Sequence, residues 1–112
     1  MTKFELHNIV SGVLEAANFE SFIGPLTRRG FLILGSGADG QCIAFIEKKF
    51  GKPSEEGVII YPCGFGDWEP MKQEATKYAK TLREQNFQAE LLLIEHRWNF
   101  AAYVYVPMSA QG

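Results

Sequence analysis

The chain has 112 residues, 46% of them hydrophobic and 21% charged, a balance typical of one globular domain that needs no metal or disulfide to fold. A net charge of −2 excludes a global basic field that would recruit nucleic acid or anionic lipid, and no apolar run approaches the length that spans a bilayer. Residues 1–112 are therefore interpreted as a single globular domain.

The two cysteines, Cys42 and Cys63, match neither a Cys-x-x-Cys motif nor a zinc-binding pattern. The first residues lead directly into a periodic segment and do not have the pattern of a signal peptide. We therefore expect a cytoplasmic protein whose two thiols are reduced.

Apolar residues recur at steps of three and four along the first segment, which predicts a helix with one apolar stripe. The stripe consists of Leu6, Ile9, Val10, Val13, Leu14 and Ala17. Residues 30–34 then predict a strand, and the glycines of residues 35–40 predict a turn.

Residues 41–50 allow two interpretations. As a strand, the segment has a short apolar run at 42–46; as a helix, it has Asp39 as N-cap, Gly51 just beyond its end and Pro53 after that. Periodicity cannot decide over so few residues. We favour the strand because the turn before it is a good hairpin connector.

The second half predicts a strand at 58–61, a helix at about 68–85 with Asp67 as N-cap, and two strands at 89–94 and 100–106 joined by a hairpin. The predicted order is α-β-β-β-α-β-β. The fold class is therefore α+β, with a mostly antiparallel five-stranded sheet on which the helices pack. The alternative is an α/β fold with a helix at 40–50.

Two glycine-rich segments follow predicted strands. The first, residues 35–40, matches G-x-G-x-x-G, but the strand at 58–61 does not end in the acid that a dinucleotide site requires. A plain turn is the better interpretation, and we expect no cofactor. The second segment precedes the second helix, whose free N–H groups favour an anion. If a small ligand binds, we expect it there, at Cys63, Gly64, Phe65, Gly66, Asp67 and Trp68; a capped connecting loop is the alternative.

Three charged residues share one parity in the strand interpretation of residues 41–50. Asp39 precedes that strand, and Glu47 and Lys49 lie at its end and point to the same side. Two carboxylates and an ammonium at one strand end can hold Mg²⁺ and activate water for phosphodiester hydrolysis. A solvated strand end, with lysines protecting an edge, explains the same residues without chemistry.

The arrangement of Asp39, Glu47 and Lys49 resembles that of the PD-(D/E)xK nucleases, including the Holliday-junction resolvases, and the predicted order over roughly residues 4–95 resembles their α-β-β-β-α-β core. The resemblance implies Asp39 and Glu47 as metal ligands, Lys49 as the group that contacts water or phosphate, and Glu15 as a further acid. It also implies Mg²⁺ as cofactor and a nucleic-acid substrate.

No complete catalytic set is present outside that resemblance, so a small non-enzymatic interaction module is the favoured function. Tyr103 and Tyr105 lie on the last predicted strand and Trp98 on the turn before it, and tyrosine and tryptophan are enriched at protein interfaces. A terminal strand with a free edge could pair with a protein partner or with its own copy in a homodimer. No membrane partner is expected.

Overall fold

A computed structural model of the chain describes residues 1–20, 25–28, 31–34, 56–96 and 99–108. Two helices and five strands lie in these ranges. In chain order they are α1 (Lys3–Ala16), β1 (Pro25–Arg28), β2 (Phe31–Leu34), β3 (Gly57–Ile60), α2 (Trp68–Glu84), β4 (Glu90–His96) and β5 (Asn99–Pro107).

The first helix begins at a side-chain cap and buries one narrow stripe. The Thr2 hydroxyl accepts a hydrogen bond from the Glu5 backbone N–H at 3.2 Å, which satisfies one of the donors that a helix start leaves unpaired. Leu6, Val10 and Leu14 are fully buried. Ile9 belongs to the predicted stripe but is exposed, so the buried face is narrower than the periodicity indicates.

The second helix is amphipathic and packs on both α1 and the sheet. Its buried residues are Ala75, Tyr78, Ala79 and Leu82. Phe19, just beyond α1, lies edge-on to Tyr78 with 4.9 Å between the ring centroids. This contact fixes the end of α1 to α2.

The five strands form one mixed sheet in the order β1-β2-β3-β5-β4. β2 and β3 are parallel, and the other three neighbouring pairs are antiparallel. The α+β class and the mostly antiparallel sheet are therefore confirmed. Neighbouring parallel strands are joined by a long crossover connection and not by a tight turn, so β2 and β3 do not form a hairpin. β1 and β3 occupy the two edges of β2.

The strands are not all those predicted. β1 lies where the sequence predicts no strand, whereas the predicted strand at 42–46, and with it the choice between strand and helix for residues 41–50, lies outside the described residues. The hairpin between the last two strands is confirmed, since His96 pairs with Asn99 across a two-residue connection.

The sheet buries apolar side chains on both faces. α1 and α2 cover one face, where sheet residues such as Leu34, Val58 and Val104 join the helix-side cluster. Alternate residues point to the opposite face and form the second-face cluster, which consists of Phe31, Ile33, Ile59, Ile94, Ala101, Tyr103 and Tyr105. The short central strands are therefore buried on both faces, which explains why they are continuous apolar runs.

Candidate functional site

The predicted ligand loop lies at the carboxyl end of β3 and leads into α2. Gly64 has φ +81°, a left-handed conformation that favours glycine, and Pro62 is buried whereas Gly66 and Asp67 are exposed. The Tyr61 N–H donates to the Leu34 carbonyl at 3.1 Å. β2 and β3 therefore end side by side.

Asp67 occupies the N-cap position of α2 with extended backbone angles, but its side chain makes no capping hydrogen bond. The predicted N-cap position is therefore correct, whereas the capping hydrogen bond expected from the Asp67 side chain is not formed. The Cys63 thiol lies 3.8 Å from the Tyr61 carbonyl oxygen, to which it donates. The anion site at Cys63, Gly64, Phe65, Gly66, Asp67 and Trp68 stays a prediction.

The nearest cation to this loop in sequence is engaged elsewhere. Lys72 forms an ion pair with Glu69, with Nζ and Oε1 3.0 Å apart, and lies 5.7 Å from the centroid of the Trp68 ring. Trp68 in turn contacts Phe100 of β5, with 5.5 Å between the ring centroids. Trp68 is therefore half-buried between the start of α2 and the sheet, and its indole packs against the sheet.

Tyr103 and Tyr105 are core residues of the second-face cluster. They are 5% and 8% exposed, and their rings lie edge-on to those of Tyr61 and Phe31 at 5.8 and 5.9 Å. The predicted free edge on the last strand is wrong, because β5 lies between β3 and β4 and both its edges are paired. The remaining predicted site residues, Asp39, Glu47, Lys49 and Trp98, lie outside the described residues.

The outermost strand of the described sheet beside the last hairpin is β4, not β5. β4 has seven residues and pairs one-to-one with β5 along its whole length, so its ladder contains no bulge. Leu93 is 39% exposed, Leu91 and Leu92 are half-buried, and Glu90 and Glu95 are exposed. Within the described ranges no strand pairs with the other edge of β4, and an exposed leucine lies on the same strand.

The start of β4 is fixed from α2. The Arg83 guanidinium donates from Nε and Nη2 to the Ala89 carbonyl oxygen, at 3.0 and 2.7 Å. Hydrogen bonds from a charged donor are stronger than those between neutral groups. Arg83 therefore links α2 to the residue that precedes β4.

Two further features of the described residues lie on α1. A shallow groove of about 580 Å³ separates the carboxyl ends of α1 and α2 and is lined by residues that include Ile9, Gly12, Ala16 and Gln85. His7 is buried, and its Nε2 has no hydrogen-bond partner among the described residues.

The structure assembles no cluster of three or more histidine, cysteine or acidic side chains suited to a metal within the described ranges. The helices of those ranges are too short or too polar to cross a membrane. Comparison of the chain with protein-family models, with curated proteins and with solved structures finds no match.

Proposed function

We propose that the protein is a small non-enzymatic interaction module that binds a protein partner through the open edge of β4. One observation carries the proposal: a seven-residue strand at the margin of the described sheet has an exposed leucine, and no described strand pairs with its outer edge. Alternate residues of such a strand direct their backbone N–H and C=O groups away from the sheet, where an added strand can form hydrogen bonds with them.

The side chains around this edge supply apolar contact area. Leu91 and Leu93 lie opposite Val104 and Ala102 of β5, so both project from the face of the sheet that carries the helices. Phe100, one pair beyond Ala102 on that face, packs against Trp68. A strand added to β4 would cover Leu93 and extend this apolar surface, which supports binding beyond what backbone hydrogen bonds contribute.

A charge at Leu93 tests the proposal. Leu93→Lys should reduce capture of the partner from extracts of the source cells at least about tenfold, because an edge lysine opposes strand addition and the leucine contact is lost. The unfolding free energy of the monomeric chain should change by less than about 1 kcal/mol, since the residue is exposed. Mass spectrometry of the captured proteins gives the first quantity and urea titration the second.

Ile9→Lys is the matched control. Ile9 is 42% exposed on α1 and lies on a helix rather than on the sheet edge, so this variant should capture what the wild type captures. Equal capture by the wild type and both variants would contradict binding through β4.

A divalent-metal nuclease is the second candidate. It rests on the shared parity of Asp39, Glu47 and Lys49 in the sequence. The order of the described elements does not add to it, because the three strands before α2 include β1 and not the strand that would carry these residues. Its metal ligands would be Asp39 and Glu47, with Lys49 beside them. Incubation with branched DNA and Mg²⁺ is the test: cleavage by the wild type that Glu47→Ala abolishes would support this function, and cleavage that persists in the variant would contradict it.

A further inference from the structure

The two margins of the described sheet differ in how they resist pairing. β1 has only four residues and begins with Pro25, and short length and proline are two devices that protect sheet edges. β4 has neither device: it is longer, contains no proline or lysine, and pairs with β5 without a bulge. The charged residues Glu90 and Glu95 lie near its two ends, so residues 91–94 carry no charge that opposes an added strand.

The faces of β4 limit which residues of a second copy can lie opposite each other. Leu91, Leu93 and Glu95 pair with Val104, Ala102 and Phe100 and belong to the helix side. Glu90 pairs with Tyr105, and Leu92 and Ile94 pack against the second-face cluster. A two-fold axis perpendicular to the sheet makes the two β4 strands antiparallel and keeps each face in register, so only residues of the same face can be opposite.

Glu90 and Glu95 lie on opposite faces, and therefore no such register places one carboxylate opposite the other. The register centred on Leu93 pairs all seven residues of β4, because Leu93 is the midpoint of the strand. In it Leu93 meets Leu93 of the second copy, Leu92 meets Ile94, Leu91 meets Glu95 and Glu90 meets His96. Like charges directly opposite destabilise a ladder, and this register contains none.

We infer that the partner bound at the β4 edge is a second copy of the chain, paired antiparallel about Leu93 to give one continuous sheet across the dimer. The inference rests on the proposed function and names the occupant of its site. Leu93 of both copies then meet at the dyad on the side of the sheet that carries α2, and each Leu91 lies opposite Glu95 of the second copy. The exposed Leu93 becomes the central contact of the interface.

Opposite charges at the dyad provide the test. Light scattering over a concentration series should show a dimer for the wild type and monomers for Leu93→Lys and Leu93→Glu alone, with dimerisation weakened at least about tenfold in each. Mixing the two variants one to one should restore the dimer, because the introduced ammonium and carboxylate face each other across the axis. Added salt should weaken the mixed dimer more than the wild-type dimer.

The controls separate this inference from the proposed function. Ile9→Lys and Ile9→Glu should dimerise like the wild type, alone and mixed. A wild type that stays monomeric would overturn the second copy as occupant, while the capture experiment with Leu93→Lys would still decide whether β4 binds another protein. A dimer that persists in both Leu93 variants, or a mixture that fails to restore it, would overturn the pairing about Leu93.

Discussion

Replacing Gly57 with alanine is expected to lower the free energy of unfolding by about 2–3 kcal/mol. Gly57 starts β3 and pairs with Pro107 of β5. A Cβ at this position would press against the Val106 carbonyl oxygen, closer than van der Waals contact allows, and would lie 3.0 Å from Cε2 of Tyr105. Because the obstacle is backbone in a paired central strand, the sheet has to shift, and overpacking of this kind costs about 1–3 kcal/mol.

Gly12→Ala is the matched control, since the same methyl group is added in open space. Gly12 lies within α1, and among the described residues no atom outside the helix backbone comes within 4 Å of the place that a Cβ would take. Alanine is the better helix former by about 0.5–1 kcal/mol, so this variant should be more stable than the wild type. Urea unfolding with unchanged m-values measures both effects. A Gly57→Ala variant as stable as the wild type would contradict the close approach of β3 and β5.

Local sequence patterns predict most of the elements of the described fold. α1, α2 and four of the strands follow from periodicity, β-branched or aromatic runs and turn residues. β1 escapes prediction because Pro25-Leu26-Thr27-Arg28 combines a proline with a charged residue and has no clear alternation. Those features are compatible with a short strand at a sheet edge, but only the pairing with β2 makes the segment a strand.

The parallel pairing of β2 and β3 has a signal in the sequence. Phe31–Leu34 is a continuous apolar run, and all four of its residues are buried. Runs of this kind are typical of strands covered on both faces, as parallel strands usually are. The glycines after Leu34 favour a hairpin instead. That prediction fails because a turn pattern does not indicate which strand lies next in the sheet.

The aromatic residues of β5 mislead the prediction of which strand lies at the margin of the described sheet. β5 comes last in the chain, and its aromatic residues favour the interpretation as a free edge. Residues 101–107 are nevertheless buried without a break, and their uninterrupted apolar pattern is typical of a central strand. β4 carries Glu90 and Glu95 near its two ends, and that mixed pattern indicates the edge.

Replacing Tyr103 with alanine is expected to lower the free energy of unfolding by about 3–4 kcal/mol, because the ring is 5% exposed and packs edge-on against Tyr61, and deleting a buried aromatic ring leaves a cavity. Leu93→Ala, on the neighbouring strand, should cost less than about 1 kcal/mol, since Leu93 is 39% exposed. The effects on association should be the reverse of those on stability. At a temperature where both variants are folded, Leu93→Ala should weaken dimerisation and Tyr103→Ala should not. Thermal unfolding and light scattering on the same samples compare them. If Tyr103→Ala kept its stability and lost association, the interface would lie on β5, as the aromatic residues alone suggest, and the assignment of β4 as the binding edge would be wrong.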